Sequence, residues 1–323
     1  MKAFFSRILL IGAMLAASLS VLGQAYPSRP VRIVVPLSPG GFADTPARIL
    51  APRLSEQMGK QFFVENKPGA GGTIGWDFTA KQPPDGYTLA ITGSTHLITS
   101  HLYKNLQYNA FKDFTHISMM AAGPYVLVVN PKKIPVNNVR ELIAAAKAKP
   151  GAIDFASSGN GNSQHLVAAL FNAMAGVKLN HVPYKGSGPA MQDLIAGEVG
   201  VSFAGVPNVL GNVRGGRLKA LAVTTPKRWV ELPDVPTMAE AGVPGYEATL
   251  WLSISGPAGI PAPIVQRLST EIAKALKDPD LQTKFREAGV EADAMQGEEL
   301  LRYMHAEDEK WGKVVRETGA TVN

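Results

Sequence analysis

The sequence predicts an α/β protein of two lobes, and two observations support this prediction. Apolar, β-branched segments alternate with amphipathic segments along the chain, which is typical of mostly parallel sheets covered by helices. A central block, residues 126–222, has a strand–helix alternation of its own, and the flanking blocks resemble halves of one other domain. Two crossing segments, 126–130 and 220–225, then join the lobes and leave a cleft, where small ligands commonly bind.

The strands are predicted from apolar runs that end at glycine, proline or asparagine turns. In the middle of the chain, Gly123 and Pro124 separate two such runs, so we predict two strands there. The predicted strands are residues 31–37, 61–65, 87–92, 115–121, 125–130, 153–156, 178–184, 199–204 and 218–224.

The helices are predicted from apolar residues that recur every three or four positions. Residues 139–148 form the clearest predicted helix, because Lys149, Pro150 and Gly151 follow it and end it. The other predicted helices are residues 47–58, 164–175 and 189–196, and residues 261–318 are expected to be largely helical.

Residues 1–25 are predicted to be a secretory signal peptide. A short basic start precedes the apolar, uncharged residues 8–22, and the small residues Gly23 and Ala25 predict cleavage after Ala25. The apolar run is shorter than the roughly 20 residues of a membrane-spanning helix, although a retained N-terminal anchor is an alternative. The mature chain is expected in the periplasm. Its predicted lobes are residues 26–125 with 223–323 (lobe 1) and residues 126–222 (lobe 2).

The composition excludes several classes of function. The absence of cysteine excludes a lipid anchor on a cysteine, thiol catalysis and cysteine-type metal sites. The net charge of +6 falls to +4 in the mature chain, because loss of Lys2 and Arg7 leaves 30 basic residues against 26 acidic ones. No basic cluster resembles a nucleic-acid footprint. We therefore expect no nucleic-acid partner, no metal and no cofactor.

The most informative segment is the turn at residues 39–44, which links the first strand to a helix. Its two adjacent glycines, Gly40 and Gly41, carry no Cβ, so the backbone can approach a ligand closely. The helix directs unpaired N–H groups and a partial positive charge toward this turn, which favours carboxylates and phosphates. An ordinary strand–helix turn is the alternative. Because Asp44 would repel a carboxylate, we expect it to cap the helix or to hold a water.

Two further loops precede helices and carry polar side chains. In residues 157–165, Asn162 or Ser163 is a good helix cap, and hydroxyl and amide groups there can bind a carboxylate without burying an opposing charge. In residues 184–188, Lys185 offers a cation. Pure capping, a structural role for His165 and a solvated surface lysine are the alternatives.

Motifs for catalysis are missing from the sequence. Gly-x-Ser-x-Gly does not occur, and Ser158 and His165 have no evident acidic partner. The glycine-rich residues 69–75 resemble a dinucleotide-binding loop only superficially, because no acidic residue follows at the expected distance. We therefore expect a binding protein rather than an enzyme, with a periplasmic hydrolase as the less favoured alternative.

The chain contains, in this order, YPSRPVR (26–32), PGG (39–41), VENKPGAGG (64–72), PDGYTL (84–89), ELIA (141–144), SSG (157–159), HVPYKG (181–186), LAVT (221–224), PDVPT (233–237) and GPAG (256–259). These segments resemble the Bug-type extracytoplasmic solute receptors of tripartite tricarboxylate transporters. The resemblance implies a two-lobed periplasmic-binding-protein fold of type II that closes on a small organic anion. It also implies delivery to a two-subunit membrane permease driven by an ion gradient, and a soluble monomeric receptor.

In that family, the Pro-Gly-Gly loop and a facing serine loop together hold a carboxylate, often with ordered water. The resemblance therefore implies two groups of ligand-binding residues and a further wall after the third strand. The candidates are Gly40, Gly41, Phe42, Ala43, Asp44, Thr92, Ser94, Ser157, Ser158, Asn162, Ser163, His165, Tyr184, Lys185 and Gly186.

This chain departs from the family pattern in its distal pocket. Gly200 and Ala204 stand where many members carry acidic residues, and Phe42 stands where small residues are common. Both changes make the pocket, with Ala204 in its wall, less charged and more apolar. Because an ammonium group needs a nearby carboxylate, we expect a carboxylate ligand with an apolar or aromatic body rather than an amino acid. A co-receptor that docks on a membrane sensor shares these features and is a further alternative.

Overall fold

The computed structural model describes residues 26–319, so the predicted signal peptide lies outside the described residues. The strands are β1 (Val31–Val35), β2 (Phe62–Asn66), β3 (Thr88–Gly93), β4 (Phe114–Val129), β5 (Asp154–Ser157), β6 (Asn180–Pro183), β7 (Val201–Gly205), β8 (Lys219–Val223), β9 (Thr249–Pro257) and β10 (Glu291–Ala292). The helices are α1 (Asp44–Met58), α2 (Thr73–Ala80), α3 (Ser94–Leu102), α4 (Val139–Ala148), α5 (Ser163–Ala175), α6 (Ser187–Ala196), α7 (Val206–Arg214), α8 (Ala262–Leu276), α9 (Pro279–Glu287) and α10 (Gly297–Thr318).

The strands form one path with two differently built parts. In the first part the order is β2–β1–β3–β9–β4, with β1 parallel to β2 and β3, and β9 antiparallel to β3 and β4. In the second part the order is β4–β7–β5–β6, with β5 parallel to β6 and β7. Strand β8 pairs with the second half of β4, and β10 pairs with its first half.

Strand β4 belongs to both parts of the sheet. Its residues 114–124 pair with β9, and its residues 125–129 pair with β7 and β8. The prediction of two strands separated at Gly123 and Pro124 was wrong, because the backbone stays extended through both residues. Proline is tolerated at this point, where the strand changes partners, and Gly123 is needed because a Cβ there would lie 2.7 Å from the Gly289 carbonyl oxygen.

The carboxyl ends of the parallel strands in both parts of the sheet lie near residues 124 and 125, where β4 passes from one part to the other. Strand β4 runs parallel to β3, since both are antiparallel to β9, and it leaves the first part at Pro124. The next residue, Tyr125, pairs with Gly205, the last residue of β7. Because β5 and β7 are parallel, the loops after β1, β3, β5 and β7 are all brought to one region. In open α/β sheets this is where ligands bind.

Most of the predicted elements are present, and three helices and the strands β9 and β10 were missed. The predicted helix 139–148 coincides with α4, and the helical character expected of residues 261–318 is confirmed by α8, α9 and α10. Helices α2, α3 and α7 were not predicted. Helix α2 contains Gly75, α7 contains Pro207 and Gly211, and α3 contains several Ser, Thr and His residues. These residues are weak helix formers, so packing on the sheet decides the conformation of the three segments.

Helix α10 packs against both parts of the sheet. Near its start, Leu300 and Met304 are buried in a cluster with Trp251 of β9. Near its end, Trp311 and Val315 are buried in a cluster that contains the apolar face of α5. Within residues 26–319, no helix has the length and apolar character required to cross a membrane.

Candidate functional site

The glycine loop, residues 39–44, is held in place by Asp44. Gly40 adopts a left-handed conformation with φ of 74°, which glycine tolerates without strain, and its N–H donates to Asp44 Oδ2 at 2.8 Å. Asn66, the last residue of β2, donates through Nδ2 to Asp44 Oδ1 at 2.8 Å, and the half-exposed Arg48 donates through Nε to Asp44 Oδ2 at 2.9 Å. The carboxylate thus joins the loop, the helix and the neighbouring strand.

The environment of Asp44 keeps it ionised. Burial by itself raises the pKa of this carboxyl, but the hydrogen bonds from Arg48, Gly40 and Asn66 hold the pKa below its usual value. Asp44 was expected to cap α1 or to hold a water, and the first alternative was wrong: the cap position is Ala43, which makes no side-chain cap bond, and Asp44 is the first residue of the helix. Sequence reasoning did not select Asn66 or Arg48 as site residues, although Asn66 lies inside the family-like segment 64–72.

Phe42 lies between two hydrophobic clusters. Its half-buried ring packs against the cluster that contains Ile33 and Leu50 under β1, and against the cluster that contains Tyr125 and Val167. Ala43 beside it is buried. An apolar side chain therefore lies at the glycine loop, where the loop meets residues from the second part of the sheet.

The serine loop, residues 157–163, is built from hydrogen bonds between its own side chains and backbone. Asn162 is the cap of α5 and accepts from the His165 N–H at 2.9 Å, as predicted. Its Nδ2 donates to Ser158 Oγ at 2.6 Å, and the Ser158 N–H donates to Gln164 Oε1 at 2.8 Å. These bonds fix the loop as a turn at the N-terminus of a 13-residue helix.

Ser157 pairs with a histidine that sequence reasoning did not select. Ser157 Oγ lies 2.6 Å from His181 Nε2, donates to the Gly159 carbonyl oxygen at 2.9 Å and accepts from the Gly159 N–H at 3.2 Å. The hydroxyl is fully buried, and its single hydrogen goes either to the Gly159 carbonyl oxygen or to His181 Nε2, depending on the tautomer of His181.

Ser163 is bound by a residue from the crossing strand. Tyr125 Oη donates to Ser163 Oγ, and burial raises the pKa of the Tyr125 hydroxyl. The Ser163 oxygen therefore uses one of its two acceptor lone pairs for Tyr125, and the hydroxyl keeps its own hydrogen for a further acceptor. The sequence feature that could have pointed to Tyr125 as a site residue is its position directly after Gly123 and Pro124.

The loop after β6, in the second part of the sheet, contains the positively charged side chain of Lys185. Tyr184 Oη donates to Asp193 Oδ2 at 2.8 Å, and burial together with this carboxylate raises the pKa of Tyr184 to about 12. Lys185 is exposed, and Gly186 is the cap residue of α6 with φ of 128°. Ala204 is buried in the core, in a cluster with residues of α6 and α7.

Thr92 and Ser94 lie at the carboxyl end of β3 and are both buried. The Thr92 hydroxyl lies 2.8 Å from Ser253 Oγ and 2.7 Å from Ser255 Oγ, and Ser255 Oγ lies 3.0 Å from His116 Nδ1. Ser94 begins α3, and its Oγ has no hydrogen-bond partner within residues 26–319. The structure thus places Thr92 in an internal network with Ser253, Ser255 and His116.

A second concavity lies at the opposite end of the sheet. It has a volume of about 270 Å³ at the amino ends of β1, β2 and β3, and its lining includes Arg29, Arg32, Phe63, Gln82 and Tyr87. Both arginines already face carboxylates, Arg29 at 2.9 Å from Asp85 and Arg32 at 2.9 Å from Glu65. Two family-like segments, 26–32 and 84–89, meet here, because Tyr26 Oη donates to the Gly86 carbonyl oxygen at 2.7 Å. These segments have a structural role.

Comparison with known proteins identifies the family. The sequence model of the family described as "tripartite tricarboxylate transporter family receptor" matches residues 46–320. The chain belongs to this family. The resemblance to Bug-type receptors is thereby confirmed, and with it the role of a periplasmic solute receptor that serves a tripartite transporter.

Three solved structures of related proteins share the fold. Rpa4515 of R. palustris, determined with adipate, is 38% identical, with a TM-score of 0.84 over 92% of this chain and 99% of that chain. The periplasmic binding protein BugD is 34% identical, with a TM-score of 0.81 over 92% and 99% of the two chains. MatC from Rhodopseudomonas palustris, with bound malate, is 31% identical, with a TM-score of 0.80 over 90% and 100%. The predicted periplasmic-binding-protein fold is confirmed.

Proposed function

We propose that this receptor captures a small organic carboxylate in a cleft between the glycine loop and the serine loop. The observation that carries the proposal is the placement of these two loops. Each follows the carboxyl end of a parallel strand, on either side of the point where β4 changes partners, and each leads directly into a helix N-terminus. Helix N-termini present N–H groups and a partial positive charge, which favour an anion.

The electrostatics of the glycine loop are compatible with an anionic ligand. The Asp44 carboxylate is surrounded by three donors, from Gly40, Arg48 and Asn66, so its charge is compensated within the protein. On the other side, hydroxyl and amide groups predominate, and the exposed Lys185 lies in the loop after β6. Capture then depends on several hydrogen bonds from both sides, since micromolar binding needs about 8 kcal/mol in total.

The ligand we favour is a carboxylate with an apolar or aromatic body. Rpa4515, determined with adipate, and MatC, with bound malate, are 38% and 31% identical to this chain. Phe42 supplies an apolar surface at the glycine loop, and Ala204 stands where an acidic residue would favour an ammonium group. An aliphatic dicarboxylate such as adipate is therefore the first ligand to test.

We further propose that the lobes are residues 26–125 with 223–323 and residues 126–222, with cleavage of a signal peptide after Ala25. The receptor then acts as a periplasmic monomer, performs no catalysis, and delivers its ligand to a two-subunit permease driven by an ion gradient. The change of partners along β4 supports the boundary at residue 125.

The direct test is calorimetric titration of residues 26–323 with adipate and with adipamide, which has the same length but no charge. We expect saturable binding of adipate and at least a tenfold weaker affinity for adipamide. The variant Ser163→Ala should bind adipate more weakly without losing binding, because one hydrogen bond contributes about 1 kcal/mol, or roughly fivefold. Equal affinity for adipate and adipamide would contradict recognition of the carboxylate.

A further inference from the structure

Two histidine rings are stacked directly behind the serine loop. The centroids of His165, in the first turn of α5, and His181, in β6, lie 3.9 Å apart, and their planes differ by 12°. Phe155 of β5 also stacks on His181, with centroids 4.8 Å apart and an angle of 18°, and its centroid lies 6.4 Å from that of His165. Three rings from three elements therefore form one cluster.

Each histidine holds a different point of the serine loop. The Gly161 N–H donates to His165 Nδ1 at 3.2 Å, and Ser157 Oγ lies 2.6 Å from His181 Nε2. Because the Ser157 hydroxyl donates to the Gly159 carbonyl oxygen, the consistent arrangement has His181 Nε2–H donating to Ser157. The pair thus connects both ends of the loop to β6 and α5.

This arrangement requires uncharged rings. His165 Nδ1 can accept the Gly161 N–H only while that nitrogen carries no proton. Two imidazolium rings 3.9 Å apart would repel each other in a half-buried setting. Burial lowers the pKa of His165, and burial together with the neighbouring His165 ring lowers the pKa of His181 to about 4.

The neighbouring charged groups do not compensate a proton on either ring. On β5, Asp154 accepts from Asn180 Nδ2 at 2.7 Å, and on α6, Asp193 accepts from Tyr184 Oη at 2.8 Å. Lys185, in the loop after β6, is exposed and carries the same charge as a protonated histidine. On α5 the titratable group is His165 itself.

We infer that His165 and His181 are positioning residues that fix the serine loop while both rings are neutral, and that protonation of His165 releases the loop at Gly161. The consequence for ligand capture rests on the proposed function, because it assumes that the serine loop contacts the ligand. The control of the loop itself does not depend on which ligand is bound.

The loop is tested without ligand by two-dimensional NMR of ¹⁵N-labelled residues 26–323 between pH 8 and pH 4. We expect the Gly161 amide resonance to shift with the same midpoint as the His165 ring, below pH 6.5, and its protection against exchange, relative to the intrinsic rate at each pH, to fall at least tenfold below that midpoint. In His165→Phe, which keeps a stacking ring, the pH-dependent shift of Gly161 should disappear. A Gly161 resonance that does not follow the ring, or a shift that persists in His165→Phe, would overturn the inference. If that variant does not fold, the wild-type titration decides alone.

The effect on capture is measured at pH 7.5 with adipate as the probe. His165→Phe and His181→Phe should bind adipate at least tenfold more weakly than the wild type. The matched control is His305→Phe, since His305 also stacks on an aromatic ring, Phe111 at 4.3 Å, but lies on α10. Unchanged affinity in both loop variants would overturn the positioning role. Failure of the wild type to bind adipate would count against the proposed ligand, whereas the ligand-free titration would still decide the inference.

Discussion

The hydroxyl of Tyr125 donates a hydrogen bond to Ser163 Oγ, and this bond connects the crossing strand to the serine loop. Tyr125 is the first residue of β4 that pairs with β7, and Ser163 is the first residue of α5. Because burial raises the pKa of Tyr125, its hydroxyl remains a donor throughout the neutral range. The orientation of the Ser163 hydroxyl therefore depends on the strand that joins the two parts of the sheet.

Replacement of Tyr125 by Phe should weaken ligand capture about fivefold. The substitution keeps the buried ring and removes one hydrogen bond, which contributes about 1 kcal/mol. Calorimetric titration with adipate measures the change. The matched control is Tyr246→Phe, because Tyr246 is also fully buried and donates to α5, at the Val167 carbonyl oxygen. It should lower stability by about 1 kcal/mol and leave affinity unchanged. Equal losses of affinity in the two variants would contradict a specific role for Tyr125.

Replacement of Asp44 by Ala should lower stability by roughly 1.5–3 kcal/mol, because three donors lose a charged acceptor. Urea unfolding measures the change, and the order of preference among carboxylate ligands should stay the same. Asp280→Ala is the control, since Asp280 also lies in the first turn of a helix and pairs with a base four residues later, Lys284, but is exposed. It should change stability by about 0.5 kcal/mol or less. A switch of ligand preference in Asp44→Ala with unchanged stability would disprove this assignment.

The free energy of unfolding should fall as the pH is lowered from 6.5 to 4. Burial lowers the pKa of His116 to about 4 and that of His96 well below its usual value, and His181 titrates near 4 as well. In the unfolded chain these rings have a pKa of about 6.5. Below that pH the unfolded state therefore binds more protons than the folded state, and the free energy of unfolding falls. Each such ring lowers stability by at most about 1.4 kcal/mol per pH unit.

Urea midpoints measured at intervals across this range test the prediction. In His181→Phe the slope of stability against pH should be smaller than in the wild type. A wild-type midpoint that stays constant between pH 6.5 and pH 4 would show that these histidines are not held neutral.

The local features of the site could be predicted from the sequence. The turn at residues 39–44 and the cap at Asn162 depend on neighbouring residues, and both are present. Short-range patterns specify such features because their hydrogen bonds close within one turn of helix or loop. The same reasoning placed α4 with correct ends.

The contacts that connect the site could not be predicted in this way. Asn66 and Asp44 are 22 residues apart, Ser157 and His181 are 24 apart, and Tyr125 and Ser163 are 38 apart. Such pairs depend on the order and register of strands, which hydrophobic periodicity alone does not specify. The continuous strand β4 is a further example, because pairing with β9, β7 and β8 overrides the turn tendency of Gly123 and Pro124.

Capture of a small organic carboxylate is tested most directly by thermal unfolding of residues 26–323 against a panel of aliphatic, aromatic and amino-acid carboxylates. A ligand at 100 times its dissociation constant adds about 2.7 kcal/mol of stability, which raises the melting temperature by several degrees for a chain of this length. We predict such a shift with an aliphatic or aromatic carboxylate, and smaller shifts with glutamate and aspartate. The strongest shift with glutamate or aspartate would contradict the proposed ligand class. No shift with any member, together with no carboxylate in the mass spectrum of the denatured protein, would contradict carboxylate capture itself.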